Sequence, residues 1–547
     1  MKHDVALAAN DLQLLKKAEW AAALLLTVIV LILLFVRATH AGALWRDECA
    51  VVQLSRTPDL AGVFQHSESF PFLFPMLIRA YTGLFGTSDS AFRIYGFVIG
   101  ALLVGILWFN ARLLGGRLPL LSLVLLGLNT AMLTWANTIR GYGLGCVLIL
   151  FAYGLMAKAA LQTTRLWLLT ATLAALACVQ FLFFNVVLLA AIGGAAIITL
   201  ALRRNLKTAL AMLGIALLAT LSLQPNFSVL SASRQWNMLL KQPADLLEMW
   251  GQLNATLGAP LPILIWVWHL LLVAVMAGAV RRLWDLQQTK PSPEWDRLLF
   301  GVLTAIISLV GYYVFLNILS YPTRPWYFLA LLSVLAATIG LLSDDLVQET
   351  RLRVARLCFV IAAMIILPFA TWPQLHVRHT NMDSVAQMLQ QQSKPTDLIV
   401  LNPWYYGIAF DWHYHGSTTW VTVPRLTDHR LHRYDLLKWK MLSPNPLDDV
   451  IARLAQTLRD GGRIWLVGKI VSANPGEAPV ALSPAPDPQY GWDSRYYAGS
   501  WSQQIVFFLE QHASQMERVD VPTTGPVGNL ENASVVLLQG WREKPEP

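Results

Sequence analysis

The chain has 547 residues, 55% of them hydrophobic and only 14% charged, with a formal net charge of +8. That balance excludes an ordinary soluble domain and predicts a polytopic α-helical membrane protein. The basic excess needs no nucleic-acid partner, because its placement along the chain follows membrane topology.

A spanning helix takes about 20 mostly apolar residues. By that rule spans are predicted at residues 19–37, 91–110, 118–136, 141–161, 166–183, 185–202, 207–224, 260–280, 297–319, 326–343 and 353–371, about eleven helices in all. Residues 71–86 are also apolar, but Pro71, Pro75 and Arg79 interrupt them, which predicts a short helix along the interface. Lys16 and Lys17 precede a first apolar run longer than a signal-peptide core, with no clear small-x-small site after it, so it reads as a retained helix. Cys146, Cys178 and Cys358 fall inside predicted spans, so no disulfide framework is expected.

Cytoplasmic loops retain Lys and Arg. Alternate gaps hold Lys16 and Lys17; Arg112 and Arg117; Lys158 and Arg165; Arg203, Arg204 and Lys207; Arg281, Arg282, Lys290 and Arg297; and Arg351 and Arg353. The intervening gaps hold few cations. This predicts a cytoplasmic N-terminus, with loops 38–90 and 225–259 and everything from residue 372 on the outer side.

The chain thus divides into a membrane domain, residues 1–371, and a soluble C-terminal domain, residues 372–547. In the latter, helices are predicted at 381–392, 447–460 and 501–515, alternating with strands in "TDLIVLNP", "GRIWLVG" and "ASVVLLQG", the pattern of a layered α/β fold. The Pro-rich 474–491 stretch reads as an extended surface loop.

"GALWRDECAVV", residues 42–52, puts Asp47 and Glu48 just beyond the first span, beside Trp45, a residue suited to the headgroup level. A carboxylate held there can meet a substrate that is half lipid. Arg140 and Arg324 are each the sole cation of a short outer gap, where they serve either an anionic ligand or as snorkelling anchors. Lys241 and Arg234 share the 225–259 loop with "ADLLEMWGQL", an amphipathic segment with Leu246, Leu247 and Trp250 on its apolar face, either a lid or a surface helix. "DWHYHG" at 411–416, read as a strand, would set Asp411, His413 and His415 on one face, as surface residues or metal ligands. "DHRLHRYD" at 428–435 reads as a solvated loop or a contact with the membrane domain.

The outer Asp-Glu pair, the Pro-punctuated "SFPFLFPML", "GTSDSAFRIYG" opening the second span, "NTIRGYGLG" at 137–145 and "YPTRPWYFLAL" at 321–331, taken in order, resemble the polyprenyl-phosphate-sugar-dependent glycosyltransferases of the GT-C fold. The similarity is to the protein-mannosyltransferase and lipid A aminoarabinose-transferase branch and runs over residues 15–370. Ser69-Phe70-Pro71 stands where that family has His-Pro-Pro, with His66 upstream, and no second acidic pair is found in another outer loop.

The resemblance implies a GT-C-like membrane domain in a cell inner membrane, its outer domain periplasmic. It implies transfer of a sugar from a polyprenyl-phosphate donor to a lipid, glycan or protein acceptor. Such a transfer needs a base and a cationic clamp. Asp47 is the expected general base, its proton affinity raised by low-dielectric surroundings. Glu48 is expected to orient the acceptor or help hold a divalent cation. Arg140, Tyr142, Arg324 and Lys241 are expected at the donor phosphate, with His66 and Glu68 at the acceptor or lid. A transporter of a lipid-linked substrate and a non-catalytic membrane scaffold are the alternatives. Against transport, the sequence has no internal repeat and keeps most ionisable residues at helix ends.

Overall fold

Among the described residues, eight helices are long and apolar enough to cross a membrane, or nine if one bent pair is a single span. The computed structural model describes residues 2–67, 70–115, 117–243, 245–286, 292–472 and 477–543, with side chains from residue 12 onward. Glu68, Ser69 and Lys290 lie outside the described residues.

Three of the eleven predicted spans account for the difference. Residues 118–136 do not form one helix: a π-helical turn at Leu123–Gly127 gives way to a short helix, Thr130–Trp135. Asn129 causes the break, its side chain capping Met132 N–H at 3.0 Å and donating to the Thr256 carbonyl at 2.9 Å. The Arg165–Phe181 helix has only 17 residues. The Leu206–Leu221 helix bends by 54° into Asn226–Asn237. The segment expected along the interface is the helix Leu73–Phe85.

The most enclosed helices, Gly141–Leu161 and Pro325–Leu346, are rich in small residues that let neighbours approach. At Gly154 an added Cβ would lie 1.9 Å from Asn110 Oδ1, so only glycine fits. By contrast the Ile263–Asp285 helix is mostly exposed, with Trp266, Leu270 and Val273 facing outward as lipid-contacting residues do.

Three cations of the basic gaps, together with Arg356, meet acidic partners at one end of the bundle. Arg356 reaches Glu19 at 3.0 Å and Asp344 at 2.6 Å, Arg353 also holds Glu19, and Arg117 and Arg297 converge on Asp345 at 2.5 and 2.8 Å.

At the other end sits the soluble domain. Its strands are β1 (Arg378–Thr380), β2 (Leu398–Asn402), β3 (Thr419–Thr422), β4 (Ile464–Gly468), β5 (Ala513–Val519), β6 (Val527–Glu531) and β7 (Ser534–Trp541). The main sheet runs β3-β2-β4-β7-β5, with β3, β2 and β4 parallel and β7 and β5 antiparallel. β2 and β4 are buried throughout, as the unbroken apolar runs LIVLN and IWLVG require. A separate parallel pair, β1 and β6, lies beside the membrane domain.

The "DWHYHG" reading is corrected. Residues 406–413 form the helix Tyr406–His413, which breaks the strand alternation that would have set Asp411, His413 and His415 on one face. The loops expected outside gather against this domain. Lys438 Nζ donates to the Gln235 carbonyl at 2.6 Å, Ser494 Oγ to that of Leu239 at 2.9 Å, and Trp236 stacks on Tyr434. The Leu246–Leu257 helix leaves Leu246, Leu247 and Trp250 exposed, an apolar face fit for a bilayer surface.

Candidate active site

The site is organised by the helix Arg46–Ser55, which starts immediately after Trp45. Glu48, its third residue, accepts from Trp45 N–H at 3.3 Å, the reciprocal half of a capping box. The same carboxylate is fully buried and meets Arg93 of the second span through two hydrogen bonds of 3.1 and 3.2 Å. It also accepts from Ile139 N–H at 2.8 Å. Glu48 therefore fastens the loop after the first span to the turn that carries Arg140.

Arg140 faces Asp47. Its Nη2 is 3.6 Å from Asp47 Oδ2, and its Nη1 donates to the Asp47 carbonyl at 3.2 Å. Arg46 Nε donates to Asp47 Oδ1 at 2.9 Å. A third partner comes from the soluble domain: His432 Nε2 stands 3.4 Å from Asp47 Oδ1. Burial would raise the proton affinity of Asp47, but Arg46, Arg140 and His432 together hold it well below the usual carboxylate range. This reverses the expected raised affinity. The neighbouring cations Arg46 and Arg140, with His432, outweigh the burial on which that expectation rested.

Glu531 completes the cluster from β6. Its Oε2 accepts from Arg46 N–H at 2.9 Å, while Oε1 is buried without a hydrogen-bond partner among the described residues. Burial outweighs Arg46 and pushes this carboxyl up to about 7. For His432, burial lowers the imidazole below its ordinary value despite Asp47, leaving it neutral near pH 7.

Beside this cluster lies a cavity of about 280 Å³. Val51, Phe70 and Phe74 form apolar wall, and Arg140, His432 and Arg433 line it with charge and hydrogen-bond capacity. The Arg140 guanidinium lies 4.9 Å from the Phe70 ring and 5.7 Å from that of Tyr142. Tyr142 is buried against Phe70 and Tyr327. His66 also lines the cavity, half-buried, its affinity for a proton lowered by burial and by Arg433.

The structure thus brings Asp47, Glu48, Arg140, Tyr142 and His66 together. It does not bring in Lys241 or Arg324, both exposed to solvent, although the turn after Arg324 delivers Trp326 and Tyr327. Glu48 is taken up by Arg93 and backbone, so its oxygens are not turned to a ligand. Among the described residues no three His, Cys, Asp or Glu side chains group as metal ligands. With Asp47 surrounded by cations as well, the residues present do not fit a divalent cation.

Arg46, Arg93, His432 and Glu531 were not singled out by sequence reasoning. The available signal was "DHRLHRYD", for which contact with the membrane domain was one of two readings, and it is the correct one.

This architecture is the GT-C fold of membrane glycosyltransferases. No protein-family model matches the sequence, and no curated protein matches it. In structure the chain is similar to ArnT from Cupriavidus metallidurans bound to undecaprenyl phosphate, with a TM-score of 0.53 and 11% identity over 94% of this chain and 97% of that one. Against the apo state of the same ArnT the TM-score is 0.52 at 12% identity, with the same coverage.

Proposed function

We propose that this protein is an integral membrane glycosyltransferase that moves a sugar from a polyprenyl-phosphate donor to an acceptor on the outer face of a cell inner membrane. The observation that carries the reading is Asp47, held ionised between Arg46, Arg140 and His432 beside a cavity that is apolar on one wall and cationic on another. A donor that joins a lipid to a phosphate matches both walls. The undecaprenyl phosphate bound by the ArnT neighbour supports the same donor class. The basic gaps favour a cytoplasmic N-terminus and place the soluble domain outside.

In the reaction, an acceptor O–H or N–H attacks the anomeric carbon, the C–O bond to phosphate breaks, and polyprenyl phosphate leaves. Arg140 and Tyr142 receive the phosphate oxygens, a charge-assisted contact suited to guanidinium. Asp47 takes the acceptor proton as the new bond forms. A depressed proton affinity suits a resting state in which Arg140 leans on Asp47. When the donor phosphate draws Arg140's charge to itself, Asp47 regains basicity where it is needed. His66 lines the same cavity as Arg140.

The test is release of polyprenyl phosphate from a panel of polyprenyl-phosphate sugars by purified protein, with membrane extract as acceptor. Wild type should release it and a folded Asp47→Asn variant should not. Equal release by both would remove Asp47 from the reaction, and failure of the whole panel to bind would remove the donor class.

A further inference from the structure

A second cavity, of about 530 Å³, opens along the seam between the two domains and shares two walls with the first. The Arg46–Ser55 helix gives Ala50, Val51 and Leu54 to the first cavity and Gln53 to the second, with Arg56 just past its end. The 428–435 loop does likewise, sending Leu431, His432, Arg433 and Asp435 one way and Arg430 the other. Asp428 fixes that division: Oδ1 takes Arg430 Nε at 3.1 Å and Oδ2 takes Arg433 Nη1 at 2.6 Å.

The second cavity is lined by Arg56, Asp89, Asp411, Trp412, His415 and Arg430. Among the described residues the side chains of Asp89, Asp411 and His415 make no hydrogen bond or ion pair, and Arg56 has only the Trp412 ring, 5.7 Å away. Burial, with Asp428 nearby, pushes the Asp411 carboxyl above its ordinary value against the opposing pull of Arg430 and His415. Asp89, Asp411 and His415 thus leave their donors and acceptors open to a polar ligand in one hollow.

The composition narrows the ligand. Arg430 is already paired with Asp428, so Arg56 alone stands against Asp89 and Asp411 and the site offers no positive excess to a phosphate. It offers alternating donors and acceptors, which hydroxyl groups satisfy because each both donates and accepts. A half-buried indole adds a flat apolar surface of the kind that the C–H face of a sugar ring covers. The first cavity has a different character, with Arg140 and aromatic walls.

We propose that this second cavity binds a neutral, hydroxyl-rich saccharide, the acceptor of the transfer or a chain attached to it. The assignment as acceptor rests on the glycosyltransferase reading above; the assignment as saccharide site does not. Each substrate then has its own chamber, and the 428–435 loop, carrying His432 to Asp47, is the partition between them.

The experiment is saturation-transfer NMR on the full-length protein in detergent, with neutral trisaccharides of gluco, manno and galacto configuration as probes. Wild type and Arg140→Ala should bind at least one of them. Asp411→Asn and Trp412→Ala should each weaken that binding about tenfold. Both positions are partly exposed, and melting temperatures matched to wild type would separate lost contacts from lost fold. Failure of all three probes would overturn the proposal, as would binding indifferent to both variants. Loss only in Arg140→Ala would move the sugar to the first cavity, and displacement by a Ser/Thr-rich decapeptide would make the occupant a protein. Polyprenyl-phosphate release is measured in parallel. Binding with the stated variant pattern but no release would sink the transferase reading and leave the saccharide site; release without binding would do the reverse.

Discussion

His432 of the soluble domain stands 3.4 Å from Asp47 of the loop after the first span, residues 385 positions apart in sequence joined across the domain seam. The soluble domain is thereby part of the site. Replacing His432 with Ala should lower kcat/KM for polyprenyl-phosphate release by about 10- to 100-fold, the cost of a hydrogen bond to a charged group. A His432→Gln variant, which can still donate, should recover part of the loss. Full activity in His432→Ala would detach the soluble domain from the chemistry.

Asp47→Asn should reduce release by roughly 10²- to 10⁴-fold at unchanged melting temperature. The pH profile supplies a second check. Because Asp47 is held well below the ordinary carboxylate range, it stays ionised throughout mildly acid conditions. No activity limb between pH 5 and 8 should vanish in a variant of Asp47 alone, and one that did would contradict the cationic environment described for it.

Glu48→Gln is expected to act on the fold. It leaves Arg93 buried without its charge partner, a loss on the order of 3–5 kcal/mol, and loosens the turn before Arg140. The melting temperature in detergent should fall markedly. A Glu48→Gln variant with native stability and abolished turnover would instead return Glu48 to a direct role in the reaction.

Glu531 carries a pH dependence of definite sign. Its carboxyl is raised from an ordinary value of 4.5 to about 7, so the folded state binds the proton more tightly than the unfolded one. Its contribution is complete below about 4.5 and is lost as the pH rises through about 7, a change on the order of 3 kcal/mol. Thermal stability of wild type should decline across that interval, and Glu531→Gln should flatten the decline. A profile identical in both would show that Glu531 does not titrate there.

Much of the membrane domain was legible because its signal is local. Runs such as 141–161 or 297–319 declare themselves by length and composition. The failures came where neighbours decide: Asn129 breaks the 118–136 run by capping a helix and bonding to the carbonyl of Thr256, a residue far along the chain. In the soluble domain the buried strands β2 and β4 were visible, whereas the edge strands β3 and β5 lack a continuous apolar run. Asp47 and Arg140 could be found from the charge pattern of the gaps they sit in, and Tyr142 from the resemblance of its segment to a family motif. His432 and Glu531 could not, since nothing in their own segments records which distant carboxylate or amide they meet.

Arg37, fully buried at the end of the first span, donates to the carbonyls of Leu375 and Val377 at 3.2 and 2.5 Å and to His379 Nε2 at 2.6 Å. His379 in turn packs on Trp135 at 4.7 Å. The first and last membrane helices are thus bolted together at the point where the chain enters the soluble domain. The joint ties the first strand of the soluble domain, through His379, to the end of the first span.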